Sequence, residues 1–219
     1  MDQQFTSTVQ EYQAGSVSLK LCMPDAAEVR DLYRQQPGLG KPYWTAVWPS
    51  AEALCLFIEE HRHMFEDREV WELGAGLGLP SLLVSRYARK VFASDLYQPA
   101  VELVEQSARM NHIHNLQAAQ IDWNHLPPVT ADIVMLADIN YDPLAFEGVS
   151  TMITSLLRAG SVVLLATPCR ISSSAFIRFI RPFIKASKEY TVDGKPVLVF
   201  TLHGSDNIIQ DHGAENDLQ

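Results

Sequence analysis

Short apolar runs alternate along this chain with stretches whose apolar residues recur every three or four positions. Residues 70–73 are a short apolar run, the pattern of a buried strand, and 91–93, 116–121, 131–137 and 161–166 read as further strands. Between them the spacing turns helical. Residues 96–111 carry Ala100, Val101, Val104 and Ala108 on one face, 146–158 read as a further helix, and 172–183 turn Phe176, Ile177 and Ile180 inward. Pro49 and Ser50 open a helix ahead of the first run, with Ala53, Leu54, Phe57 and Ile58 as its buried face as far as His61. Strand and helix alternate five times, then 188–192 and 197–202 flank an Asp193-Gly194 turn as a terminal hairpin. The expected fold is α/β: a seven-stranded, mostly parallel sheet with helices on both faces and one antiparallel strand at its end. A hairpin within residues 5–22, turning at Ala14-Gly15, and a helix from Pro24-Asp25 to Gln36 form an accessory layer ahead of it. That layer ends at the break over 37–40. We divide the chain into this segment (1–40), the main domain (41–203) and a polar tail (204–219) expected to be disordered.

The stretch 68–95 organises the rest. After the strand at 70–73 come Gly74, Gly76 and Gly78, then Pro80 in the first turn of a helix continued by Leu82, Leu83 and Val84, then a second strand ending at Asp95. Glycines at such a turn let backbone lie against a ligand. Asp95 falls 21 positions after Gly74, where a carboxylate takes both hydroxyls of a ribose. A dinucleotide fingerprint would put its third glycine at 79, which is Leu79. Here Glu72 stands two residues before a G-x-G-x-G run instead. Such an acid repels a pyrophosphate and attracts a cationic amino acid end.

Charge and cysteines narrow the partners. A net charge of −9 does not attract phosphate backbones, so nucleic acid is disfavoured as substrate. The three cysteines are far apart with no C-x-x-C, which argues against a disulfide framework and a zinc site. They fit a reducing compartment. The start has no signal-peptide pattern and no run reaches a membrane span, so a cytoplasmic location and no membrane contact are expected. No metal site is expected, because the histidines lack spaced partners. Nothing fixes an oligomeric state, and a monomer is compatible with the sequence.

The run Glu72-Leu73-Gly74-Ala75-Gly76-Leu77-Gly78 resembles motif I of the class I, Rossmann-like, seven-strand S-adenosylmethionine-dependent methyltransferases. Trp44 with Val47-Trp48-Pro49, Met110-Asn111, Asp122-Trp123 and Asp138-Ile139-Asn140-Tyr141 extend the likeness. Over roughly residues 40–202 the chain resembles methyltransferase family 16, a group of protein lysine methyltransferases. The first 35 residues and the tail carry no such resemblance.

The resemblance implies S-adenosylmethionine as cofactor. It would be held by Glu72, Gly74, Ala75, Gly76, Gly78, Asp95 with the adjoining Leu96, Asp138, and Asp122 with Trp123 around the adenine. Composition alone favours the core for Trp44 and Trp48; the resemblance places Trp48 over the cofactor. Asp138 and Tyr141 match the family's D-x-x-Y mark at the acceptor site. There a carboxylate orients an ammonium, and tyrosine offers a ring face and a hydroxyl. Methyltransferases of DNA bases and of glutamine carry two prolines where Ile139 and Asn140 stand. The expected function is protein N-lysine methyl transfer. The alternatives are a small-molecule N-methyltransferase, a methyltransferase of another protein side chain such as arginine, and a non-catalytic methyltransferase-like binding module.

Overall fold

The computed structural model describes residues 5–14, 16–36, 41–139, 145–168 and 174–204. Gly15, the break at 37–40, Asn140, Tyr141, Asp142, Cys169 and the tail from 205 onward lie outside the described residues. Strand β1 (Ser7–Ala14) pairs antiparallel with β2 (Val17–Pro24), and α1 (Ala26–Gln35) follows. Helix α2 (Pro49–Glu60) leads into β3 (Glu69–Leu73), and α3 (Leu79–Val84) into β4 (Lys90–Asp95). Then come α4 (Gln98–Met110), β5 (Leu116–Gln120), β6 (Ile133–Ala137), α5 (Phe146–Arg158), β7 (Val162–Pro168) and α6 (Ser174–Ile180). The hairpin of β8 (Ile184–Val192) and β9 (Lys195–Leu202) ends the described chain.

The sheet runs β5-β4-β3-β6-β7-β9-β8. The five strands from β5 through β7 are parallel, and β9 lies antiparallel between β7 and β8. The antiparallel strand is therefore second from the edge. Successive side chains of a strand point to opposite faces, which accounts for two separate cores. Ile133 and Met135 pack with Leu54, Leu82 and Leu103 under α2, α3 and α4, while Val134 and Leu136 pack with Val149, Ile153 and Phe176 under α5 and α6. With both faces covered, the central strands read as continuous apolar runs rather than alternating ones. No helix of the described residues is long and apolar enough to cross a membrane.

The accessory hairpin is tied to the main sheet's helices. The Lys20 N–H donates to Asn111 Oδ1 at 2.9 Å and Asn111 Nδ2 donates back to the Lys20 carbonyl at 2.7 Å. The Cys22 N–H reaches Ser107 Oγ, and Tyr12 donates its hydroxyl proton to Glu52. Asp25 caps α1 by accepting from the N–H groups of Ala27 and Glu28.

Glu59, at the end of α2, collects four donors: the hydroxyls of Tyr87 and Ser16, the Ser16 N–H, and Arg62. Burial alone would raise its carboxyl, but these donors outweigh burial and hold the pKa at about 2. Because the folded value lies below the unfolded one, the contribution is present above pH ~4.5 and is lost as pH falls toward 2. Glu59→Gln should cost on the order of 2 kcal/mol at pH 7 and little at pH 2.5. Urea melts at the two pH values measure this. An equal loss at both would assign the effect to packing.

Candidate active site

The sheet order turns at β3, whose neighbours β4 and β6 lead outward in opposite directions. A crevice must open beyond the carboxyl ends of the strands at such a point. It is a cleft of about 530 Å³ bordered by Gly74, Gly76, Asp95, Asp122 and Asp138. That size is usual for a small-molecule site.

The glycine turn is locked to β4. The Ala75 N–H donates to the Ser94 carbonyl at 2.8 Å, and the Gly76 N–H donates to Asp95 Oδ2 at 2.8 Å. Asp95 Oδ1 accepts the Tyr97 N–H at 3.1 Å. Burial raises this carboxyl's pKa, against the pull of its backbone donors. The Leu96 N–H acts on this carboxylate as well, and acceptor capacity beyond these backbone donors remains for a diol. Leu96, 49% exposed, lines the cleft beside Asp95.

Asp122 caps a 3-10 turn at Trp123–His125 by accepting the Asn124 N–H. That backbone donor, and then His125 and the Asn124 side chain, hold its carboxyl below the ordinary range. Trp123 lies across the glycine turn, with Cζ3 3.0 Å from where a Cβ on Gly74 would sit. Trp48 is 41% exposed on the cleft wall and donates its indole N–H to the Tyr43 carbonyl at 2.7 Å. Trp44 lines the cleft too but is buried. Asp138, the first residue past β6, is nearly buried on the wall with its N–H donated to the Ala166 carbonyl. Its φ is +53°, uncommon for a residue with a side chain. Its sequence partner Tyr141 lies outside the described residues.

Three of the motif residues expected to hold the cofactor, Glu72, Ala75 and Gly78, are not among those bordering the cleft. Glu72 is 1% exposed and does not border the cleft. Its Oε2 accepts both the N–H and the hydroxyl of Ser81 on α3, while Oε1 has no hydrogen-bond partner among the described residues. Burial pushes its pKa up to about 8, with Asp95 adding in the same sense, against the pull of the Ser81 hydroxyl and N–H. A cation entering the cleft would favour its ionised form. Gly78 also lies off the cleft; it starts α3 in a left-handed conformation against Val104 of α4. Ala75 is half-buried in the same turn. Lys41, Tyr43, Tyr97 and Asn124 border the cleft without belonging to any motif. Their only sequence signal is adjacency to Trp44, Asp95 and Asp122.

The residues present fit an adenosyl ligand with an amino acid end: a diol acceptor at Asp95, an aromatic face at Trp123, and backbone without Cβ at Gly76. Asp95→Ala should weaken cofactor binding by about 2 kcal/mol, roughly thirtyfold. It should also lower the melting temperature, because the backbone donors at Gly76, Leu96 and Tyr97 lose their acceptor. Calorimetry beside thermal melting checks both. Lower stability with unchanged affinity would leave Asp95 as a brace of the turn alone.

The architecture recurs in a 16S rRNA methyltransferase of Thermus thermophilus crystallised with AdoMet and guanosine. The TM-score is 0.63, the identity 15%, and the coverage 90% of this chain and 51% of that one. At that identity the likeness shows the fold alone. A histone-arginine methyltransferase of Homo sapiens is 29% identical over 137 residues, which is 58% of this chain and 71% of that protein. The chain spans about half the length of the mouse, rat and Xenopus laevis proteins of the same name. An electron transfer flavoprotein beta subunit lysine methyltransferase of Xenopus laevis is 26% identical over 193 residues, covering 84% of this chain and 76% of that one. Residues 35–183, well over half of the sequence, match the model of the lysine methyltransferase family, and the chain belongs to that family, built on the S-adenosylmethionine-dependent methyltransferase fold.

Proposed function

We propose that the protein transfers a methyl group from S-adenosylmethionine to the side-chain nitrogen of a lysine in a protein substrate. The cofactor supplies a methyl carbon activated on a sulfonium sulfur. In this reading Asp95 takes the ribose hydroxyls, Asp122 the adenine amino group, and Trp123 covers the adenine ring. Trp48 and Leu96, both partly exposed, form the rim. Asp138 holds the incoming ammonium by charge and aligns its nitrogen. The amine gives up its proton to solvent, its lone pair forms the nitrogen–methyl bond as the carbon–sulfur bond breaks, and S-adenosylhomocysteine is left. Alignment provides much of the rate in a displacement of this kind. Tyr141, following in sequence, offers a ring face for a methylammonium.

The observation that carries the reading is Asp138. A carboxylate stands on the cleft wall, nearly buried, on backbone in a left-handed conformation. Such strain persists where the surroundings hold it in place and gathers at functional sites. The net charge of −9 supports a protein rather than a nucleic acid partner. Buried free thiols at Cys22 and Cys55 support a reducing, cytoplasmic setting. Arginine is the second reading, favoured by the name of the human relative.

The test is incubation with radiolabelled S-adenosylmethionine and a lysate of the source organism. Protease and nuclease digestion and amino acid analysis follow. Label in protease-sensitive material, recovered as methyl-lysine, is expected. Methyl-arginine would move the assignment to the second reading, and label confined to nuclease-sensitive material would overturn it.

A further inference from the structure

We infer that Tyr33, on the accessory helix α1, is a positioning residue for the cofactor cleft, through which the N-terminal layer sets the spacing of the cleft walls. This rests on the reading of the cleft as the S-adenosylmethionine site. Tyr33 touches both walls. Its hydroxyl accepts the indole N–H of Trp44 at 3.0 Å, and its ring stands 5.8 Å from that of Tyr97, tilted by 59°. Trp44 and Tyr97 both border the cleft. Trp44 belongs to the turn that faces the glycine loop: its carbonyl oxygen lies 3.5 Å from where a Cβ on Gly76 would sit. Tyr97 carries the N–H that fixes Asp95. One side chain thus joins the 43–45 turn to the β4–α4 corner, with Phe5 packed on Trp44 as well.

The layer bearing Tyr33 is itself anchored, by Lys20 with Asn111, Tyr12 with Glu52, and Ser16 with Glu59. It can therefore act as a fixed third wall. Removing one hydroxyl leaves the Trp44 N–H, on a 4% exposed residue, without its acceptor, and the indole loses its orientation.

The test is a mutant cycle of wild type, Tyr33→Phe, Trp44→Phe and the double variant. Each is titrated with S-adenosylhomocysteine in a calorimeter and melted thermally. Tyr33→Phe should weaken binding about five- to tenfold. In the Trp44→Phe background the same change should have no further effect on affinity, because the hydroxyl acts through the indole. Unchanged affinity in Tyr33→Phe would overturn the inference while leaving the cofactor reading intact. So would a loss that persists undiminished without Trp44, or one that merely follows the melting temperature. Wild-type protein that ignores S-adenosylhomocysteine would overturn both.

Discussion

Asp138→Asn should reduce methyl transfer by about a hundredfold or more while S-adenosylhomocysteine affinity stays nearly unchanged. The loss falls on alignment of the acceptor, which the cofactor does not need in order to bind. Asparagine is the discriminating replacement because of the backbone. At φ +53° Asp and Asn are tolerated through local hydrogen bonding, so the variant keeps conformation, size and one acceptor oxygen while it removes the charge and exchanges the other oxygen for an NH2 donor. Asp138→Ala should fail as well, but it adds backbone strain of about 1 kcal/mol, and its melting temperature must be read beside its rate. Tyr141→Phe separates the ring from the hydroxyl: a mild effect assigns the ring, a severe one the hydroxyl. Near wild-type turnover by Asp138→Asn on an identified substrate would point to an uncharged acceptor and refute the lysine assignment.

Gly78→Ala should cost about 3 kcal/mol of stability. A Cβ at this residue would stand 2.8 Å from Cγ2 and 3.1 Å from Cγ1 of Val104, a buried residue in the middle of α4. Crowding of this kind in a packed core costs about 1 to 3 kcal/mol, and the left-handed backbone at φ +71° adds about 1 to 2. Val104→Ala in the same molecule should return part of the loss by making room, although φ remains unfavourable. Urea denaturation of the single and double variants measures this. Should Gly78→Ala keep its stability and lose cofactor binding instead, the glycine serves the ligand and not the helix contact.

Gly78 also shows where sequence reading stops. Three glycines at alternate positions look equivalent in a motif, yet Gly74 and Gly76 border the cleft while Gly78 lets two helices meet. Only the partner residue, 26 positions on, separates these uses. Glu72 is similar: its place before the glycines suggests attraction of a cation, but the side chain is buried and bonded to Ser81, and burial raises its pKa.

The parallel strands β3, β4, β6 and β7 and the inward faces of α2 and α4 were legible, because burial on both faces or on one stripe leaves apolar runs or 3.6-residue periodicity. The edge strand β5, by contrast, has no buried residue and two glutamines in its run. The last turn was legible too, since Asp193 and Gly194 both take positive φ, as a two-residue hairpin turn demands. Strand β8 begins at Ile184, four residues before the apolar pattern places it, because Lys185 to Glu189 lie exposed near the sheet edge and show no alternation. Its pairing with β9, including an irregularity between Ile184 and Ala186, fixes it instead. The cleft residues Lys41, Tyr43 and Tyr97 were not legible, because loops deliver them to the site without a spacing of their own.

That the cleft beyond β3, β4 and β6 holds S-adenosylmethionine is checked by calorimetric titration of wild-type protein and Gly76→Val. Gly76 lies on the cleft wall at φ +54°, and a Cβ there would meet nothing closer than the Trp44 carbonyl oxygen at 3.5 Å. The variant should therefore fold at a modest cost in strain while its branched side chain occupies ligand space. Wild-type protein is expected to bind S-adenosylmethionine and S-adenosylhomocysteine and to ignore NAD, with Gly76→Val folded and silent to all three. Binding of NAD by the wild type, or S-adenosylhomocysteine binding that survives in Gly76→Val, would contradict the assignment.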